Sequence, residues 1–321
     1  MKFSLPFTEI WKQYAYFYRP MYNILEDGYI MFRCKSEFAK LLATDEWRLT
    51  YINKDYSVCP TYGANLVVPK SITDEEIIKS AAFRDDGRFP LLSYRHENGA
   101  ILLRCAQPSS GSKSKRCRAD EAILNMILGR SKKSFIVDTW SKSKSNTETD
   151  QHYNQWRKIT CSIGNLSHVS NIVDCFSKLI DVLNSLNAAC VVAQCLDHEG
   201  SPCLMHGGKG LDSTLIVTSL VQFILNPDCR TVRGIQALIE REWIQAGFPF
   251  STRHKHSCYT PSQSRPKTSA STFVLFLDSV YQLHCQFPSS FEFNTQMLIL
   301  LLEHSFFSSY GTSVAPISLE Q

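Results

Sequence analysis

The residues best placed to handle a charged ligand are His206-Gly207-Gly208-Lys209-Gly210-Leu211-Asp212-Ser213-Thr214. Glycines at 207, 208 and 210 free the backbone to turn its N–H groups inward. A short apolar run, Cys203–Met205, precedes them, and a longer one, Leu215–Leu225, follows. Strand, glycine-rich turn, then helix is the order in which amide hydrogens and a helix dipole converge on an anion. Two nucleotide-binding readings fail on spacing: G-x-x-x-x-G-K-[ST] does not fit the register, and G-x-G-x-x-G is absent. On these nine residues alone, an ordinary glycine-rich turn explains the pattern equally well.

The spacing also fits the phosphate loop of cysteine-dependent phosphatases, H-C-x-x-G-x-x-R-[ST], with His206, Gly210 and Thr214 in their places. That chemistry needs a thiolate to attack phosphorus and a guanidinium to fork onto the equatorial oxygens. Gly207 stands at the cysteine place and Ser213 at the arginine place. Glycine offers no nucleophile and serine no positive charge, so no catalytic residue is expected. Lys209 is open to two readings, a phosphate contact or a solvated loop lysine. Asp212 reads chiefly as a holder of the loop through backbone N–H groups. Cys203 lies before the loop's focus and reads as core. The emptied loop is expected to hold an anion weakly at best.

Two further groups carry less. His254-x-His256-x-Cys258 has the look of a metal cluster, but no second ligand pair is suitably spaced, so neither a metal nor any other cofactor is expected. The basic run Lys113, Lys115, Arg116 and Arg118 suits a solvated face or contact with anionic lipid.

The elements that must position the loop alternate. Between Trp11 and Val68 the chain is rich in aromatics, which predicts strands and packed loops. Thr73 and Glu76 form a capping-box pattern ahead of an apolar face of Ile77, Ile78, Ala81 and Ala82. Leu91–Tyr94, Ala100–Arg104 and Ser134–Thr139 read as strands, and Asp120–Leu128 as a helix stopped by Gly129. Ser109–Arg118, Ser141–Asp150 and Tyr259–Ser271 read as polar loops or linkers. Leu179, Leu183, Leu186, Cys190 and Ala193 fall on one helical stripe, and Ile235, Leu238, Ile239 and Trp243 on another, closed by Gly247. Asn226-Pro227 ends the helix at Leu215–Leu225, and two buried helices follow near Phe273–Leu283 and Thr295–His304. The alternation predicts an α/β fold.

Composition narrows the partners. A net charge of +4 over 321 residues does not argue for nucleic acid. Twelve cysteines without a C-x-x-C pair, and a start without a secretion pattern, suggest free core thiols in a reducing compartment. No apolar run approaches the roughly 18 residues of a membrane span. The chain reads as soluble and cytoplasmic.

Longer phrases carry a resemblance. WRLTYINKDYSVCPTY at Trp47–Tyr62, VVPKSITDEEI at Val67–Ile77, AAFRDDGRFPLLSY at Ala81–Tyr94 and LLRCAQP at Leu102–Pro108 are similar to the myotubularin phosphatase domain. So are RTVRGIQALIEREWIQAGFPF at Arg230–Phe250 and QFPSSFEFN at Gln286–Asn294. The resemblance implies one domain over 11–313, with 1–10 and 314–321 as tails. It also implies a cysteine-phosphatase-like mixed sheet flanked by helices. Active members remove the 3-phosphate of phosphoinositides with a loop reading H-C-S-D-G-W-D-R-T. Against that loop Lys209 replaces an aspartate, Leu211 replaces the tryptophan, and Asp212 matches the proposed general acid. Inactive members carry glycine and serine where this chain does, and they resemble regulatory subunits of active ones. The resemblance therefore implies a pseudophosphatase partnered with an active myotubularin-related phosphatase, peripheral on endomembranes if it touches them. Weak phosphoinositide or anionic-membrane contact is a further implication. The family's PH-GRAM domain and coiled coil are expected to be absent. A stretch that relatives carry between Asp181 and Ala188 is missing, and the Gly-rich loop expected near Ser141–Asp150 has become Ser/Lys/Asn/Thr.

Overall fold

The apolar run before the glycine loop becomes the middle strand of a sheet. A computed structural model describes residues 33–109, 116–129, 133–140, 153–163, 166, 179–254 and 272–307. Its strands are β1 (Trp47–Thr50), β2 (Leu66–Pro69), β3 (Leu91–Arg95), β4 (Ile101–Cys105), β5 (Phe135–Trp140), β6 (Arg157–Ile163) and β7 (Cys203–His206). Five of them form one sheet in the order β3-β4-β7-β5-β6. The pair β3 and β4 is antiparallel, and β4, β7, β5 and β6 run parallel. Strand β7 has a neighbour on each side, and Cys203, Leu204 and Met205 are fully buried. A continuous apolar run is what a parallel strand covered on both faces requires.

Helices cover the sheet, as the α/β expectation required: α1 (Asp74–Phe83), α2 (Arg118–Leu128), α3 (Leu179–Asp197), α4 (Ser213–Leu225), α5 (Val232–Ile239), α6 (Thr272–Gln286) and α7 (Thr295–Phe307). All thirteen residues of α4 are buried. It packs against α3 and α6 on one side and against β4 and β7 on the other. A largely apolar helix is stable only when covered in this way, and its buried Thr218, Ser219 and Gln222 find hydrogen-bond partners. Phe223 of α4 stacks on Phe291 at 6.3 Å and packs against Phe276 of α6 at 5.9 Å.

In the described part of the aromatic first region, Cys34–Glu37 and Ala39–Leu42 are short helical turns where strands and loops are expected, and a β1–β2 hairpin and a packed loop follow. Asn53 organises that loop: its amide nitrogen donates to the carbonyls of Cys59, Tyr62 and Gly63, and its amide oxygen accepts from Cys59 N. The capping box of Thr73 and Glu76 is formed. Behind it Ile77, Ser80, Ala81 and Phe83 face inward, whereas Ile78 is 49% exposed and Ala82 also faces out. The stripe on α3 is likewise shifted in phase. Val182, Ser185, Ala189, Val192 and Leu196 face the core, and Leu183 is 58% exposed. Strand β6 went unanticipated because Arg157–Ile163 lies at the sheet edge, where polar side chains are tolerated. Residues 11–32, Lys113, Lys115, Ser141–Asp150 and Tyr259–Ser271 lie outside the described residues.

Helices α1 and α2 are tied by a buried ion pair. Arg84 forks onto Asp120 through Nε at 2.9 Å and Nη2 at 2.5 Å, and its Nη1 donates to Ala106 O. The Ser80 and Tyr153 hydroxyls also donate to Asp120. Every carboxylate oxygen is thus satisfied away from water, and removing one partner strands the other charge. Asp120→Ala should cost about 3–5 kcal/mol. Arg84→Met with Asp120→Leu should recover most of that loss. Urea unfolding of the three chains checks it, and equal stabilities for the single and double variants would refute it.

Candidate functional site

Strand β7 delivers His206 between Cys105 of β4 and Asp138 of β5, at the carboxyl ends of the parallel strands. Ligands of open α/β sheets bind there. The chain then turns through 207–212 into α4. Gly210 has φ +68, and a Cβ on it would stand 2.4 Å from Cys105 O, so only glycine fits. Gly210 N donates to Gly207 O at 2.7 Å, and Gln107 N donates to Gly208 O at 2.9 Å. Arg88, fully buried, donates through Nη2 to Gly210 O at 2.9 Å. Its Nη1 donates to Thr61 Oγ1 and Ala246 O, both at 2.7 Å.

At the focus, Ser213 Oγ lies 2.8 Å from Thr139 Oγ1. Thr139 is buried and also donates to His206 O at 3.3 Å. Lys209 is exposed, with Nζ 3.1 Å from Asp86 Oδ2. Its side chain is 69% exposed, in keeping with the solvated reading, and the pair with Asp86 lies at the surface. Asp212 sits at φ +47, a conformation rare for a residue with a side chain. Its carboxylate accepts from Arg253 Nη2 at 3.3 Å and Thr272 Oγ1 at 3.1 Å. The expected role as a holder stands, but the partners are side chains of distant segments, not backbone N–H groups. Leu211 is buried, and Thr214 N donates to Leu211 O at 3.0 Å. Thr214 Oγ1 and His206 Nδ1 are buried without a protein partner among the described residues. Burial holds the His206 imidazole down to about 4, with Asp138 opposing, so the ring is neutral at pH 7.

Two thiols beside the loop, Cys105 and Cys203, are both shifted toward the protonated form. Burial pushes Cys105 up to about 12. Cys203 is raised well above the usual thiol range, first by its hydrogen bond to Cys195 and then by burial. Of the two forms of a cysteine, the thiolate and not the thiol is the nucleophile. Sequence reasoning missed Thr139, Arg88 and Asp86. Each comes from an element far from the loop in the chain, and no local motif marks it.

The Myotubularin-like phosphatase domain profile matches residues 13–186 and 176–317. The chain is 44% identical to Myotubularin-related protein 9 of Mus musculus, over 93% of this chain and 60% of the relative. It is 43% identical to the protein of that name from Homo sapiens, with the same coverage. A phosphatidylinositol-3,5-bisphosphate 3-phosphatase of Bos taurus is 30% identical over 97% of this chain and 53% of that protein. The chain spans about 60% of the length of the first two relatives.

Of the His254, His256 and Cys258 cluster the structure describes only His254; His256 and Cys258 lie outside the described residues. His254 is 5% exposed, its Nδ1 is 2.8 Å from Ser305 O, and its ring stacks on Phe306 at 4.3 Å. Among the described residues no group of side chains could hold a metal ion. Burial holds this imidazole down to about 4. The unfolded chain takes up a proton below its ordinary value of about 6.5, and the folded chain does not until about 4. The histidine's contribution is therefore complete above that ordinary value and is lost as pH falls through the window. Between pH 7 and pH 5 it should remove about 2 kcal/mol. Urea midpoints of the wild type and His254→Gln at the two pH values measure it. The variant's profile should be flatter, and an equal fall in both chains would assign the titration elsewhere.

Proposed function

The chain belongs to the myotubularin family of phosphatase domains, and on that premise we propose that it is a pseudophosphatase acting as a regulatory or adaptor partner of an active phosphatidylinositol 3-phosphate phosphatase. The observation that carries this reading is the pair of residues at the loop's two chemical positions, Gly207 and Ser213. Covalent phosphoryl transfer needs a nucleophile to open the P–O bond and a cation to take up the equatorial charge. Neither side chain supplies one. Asp212, the residue placed to act as general acid, is held by Arg253 and Thr272. We take residues 11–313 as the folded unit and His206–Thr214 as its degenerate phosphate loop. The partner role is supported by the similarity to Myotubularin-related protein 9 and by a fold kept intact around a loop without catalytic groups. The proposed location is cytoplasmic, peripheral on endomembranes. Among the described residues no helix is long and apolar enough to cross a membrane.

A second reading makes the loop a stand-alone phosphoinositide-binding site. The start of the thirteen-residue α4 favours it, since free amides and a helix dipole draw anions. The charges weigh against it. Lys209 is paired with Asp86, and a carboxylate stands at 212 where the ligand would approach. The partner reading is the better supported.

The purified chain should release no phosphate from phosphatidylinositol 3-phosphate above a blank. Turnover that persists through purification and is lost on changing another loop residue would overturn that. Mixed with an active 3-phosphatase of the family, the chain should co-elute in size-exclusion chromatography and raise the partner's turnover or thermal midpoint. Separate elution at micromolar concentrations, with the partner's activity unchanged, would refute the regulatory role.

A further inference from the structure

The empty nucleophile position is not a space waiting for a cysteine. A Cβ built on Gly207 would stand 2.1 Å from Thr139 Oγ1. Thr139 reaches the loop because β5 and β7 pair in a register that sets Asp138 beside His206, and Thr139 is the next residue. It is 1% exposed. We propose that Thr139 is the plug of this loop, closing the focus together with Ser213, so that a side chain at 207 is admitted only when the Thr139 hydroxyl is removed. The proposal rests on the reading of His206–Thr214 as a degenerate phosphate loop.

The hydrogen bonds give the plug a direction. A threonine hydroxyl has one hydrogen. Thr139 Oγ1 donates it to His206 O at 3.3 Å. It can then only accept from Ser213, whose Oγ lies 2.8 Å away. The chain runs from Ser213 O–H to Thr139 O–H to the His206 carbonyl. It satisfies both buried hydroxyls without any ligand. The plug thus occupies the focus and removes the demand for an anion there.

The same distances locate the obstruction within the side chain. From the built Cβ on Gly207, Thr139 Cβ is 3.4 Å away, ordinary contact, whereas Thr139 Oγ1 is 2.1 Å away. Ser213 Oγ is 3.3 Å away, a tight but tolerable approach. A residue ending at Cβ in place of Thr139 therefore leaves room, and the hydroxyl alone does not. Turning χ1 of Thr139 to move the hydroxyl aside breaks its bonds to Ser213 Oγ and the His206 carbonyl, so relief by rotation costs the buried hydrogen bonds of the plug.

The test is a double-mutant cycle on the full chain, read by thermal unfolding. Gly207→Ala adds only the Cβ, and Gly207→Cys adds the thiol as well; each is made alone and with Thr139→Ala. Alone, each should lower the unfolding midpoint by several degrees. With Thr139→Ala, the Gly207 substitution should cost far less than it does in the wild-type background, so that the pair is more stable than the sum of its parts. Should Gly207→Cys fail to fold alone, folding on addition of Thr139→Ala supports the plug. If the cysteine chains fold in neither background, the alanine cycle decides. Additive losses in the alanine cycle, or a Gly207→Ala chain as stable as the wild type, would overturn the proposal. Wild-type phosphate release, measured alongside, tests the pseudophosphatase reading separately, because the cycle reads stability and not turnover.

Discussion

A fully buried guanidinium holds the site together. Arg88 reaches Gly210 O in the loop, Ala246 O beyond α5 and Thr61 in the packed loop, and lies 4.5 Å from the centre of the Tyr62 ring. Burying a charge is costly unless its donors are met. Here two carbonyls and a hydroxyl meet the Nη1 and Nη2 donors, Nε is left without a partner among the described residues, and an aromatic face adds a cation–π contact. Three segments far apart in the chain must therefore be in place together. The π-helical turn Glu240–Ile244 just before Ala246 is fixed in the same way. Glu242 of that turn is fully buried, with Arg104 of β4, Ser93 of β3 and Thr218 of α4 around its carboxylate.

This arrangement separates the shape of the loop from its chemistry. The turn through 207–212 is set by Arg88, by the bond from Gln107 N, and by the close approach of Gly210 to Cys105 O. None of these uses a nucleophile or a loop arginine. The frame therefore stands on contacts that need neither group, and charge at its mouth is arranged separately. Lys209 turns to Asp86 and Asp212 to Arg253, so cationic and anionic groups at the mouth neutralise each other.

Much of the frame was legible in the sequence because it is written in local terms. The capping box at Thr73, the glycine stop at Gly129 and the largely apolar run of α4 each follow from neighbours within a few residues. The strand–turn–helix at 203–225 was legible for the same reason, since its glycines and the apolar runs on either side are neighbours in the chain. The illegible parts depend on pairing across the chain. The stripe on α3 was read one step out of phase because the stretch is apolar on several sides, and only the partners α4 and α6 decide which side is inner. Strand β6 lies at an edge, where the alternation signal is weak. Asp212 was assigned backbone partners because sequence offers only near ones, whereas Arg253 and Thr272 arrive from elsewhere in the fold.

The polar groups of the focus show why such a loop can be stable without a ligand. A phosphate-binding loop that aims donors at an absent anion leaves them unpaired, and buried unpaired donors destabilise a fold by about 1–3 kcal/mol each. In this chain the Ser213 and Thr139 hydroxyls are joined to each other and to the His206 carbonyl, so the ligand-free state is nearly satisfied. The satisfaction stops short at two atoms, Thr214 Oγ1 and His206 Nδ1, which have no protein partner among the described residues. They lie at the two ends of the loop, on the two residues that still match the phosphatase frame there. The residues that differ from the frame, Gly207 and Ser213, are the ones fitted to the Thr139 side chain. Asp212, Lys209 and Ser213 are each paired, with Arg253 and Thr272, with Asp86 and with Thr139, and a loop whose polar side chains pair within the protein can stand without a ligand.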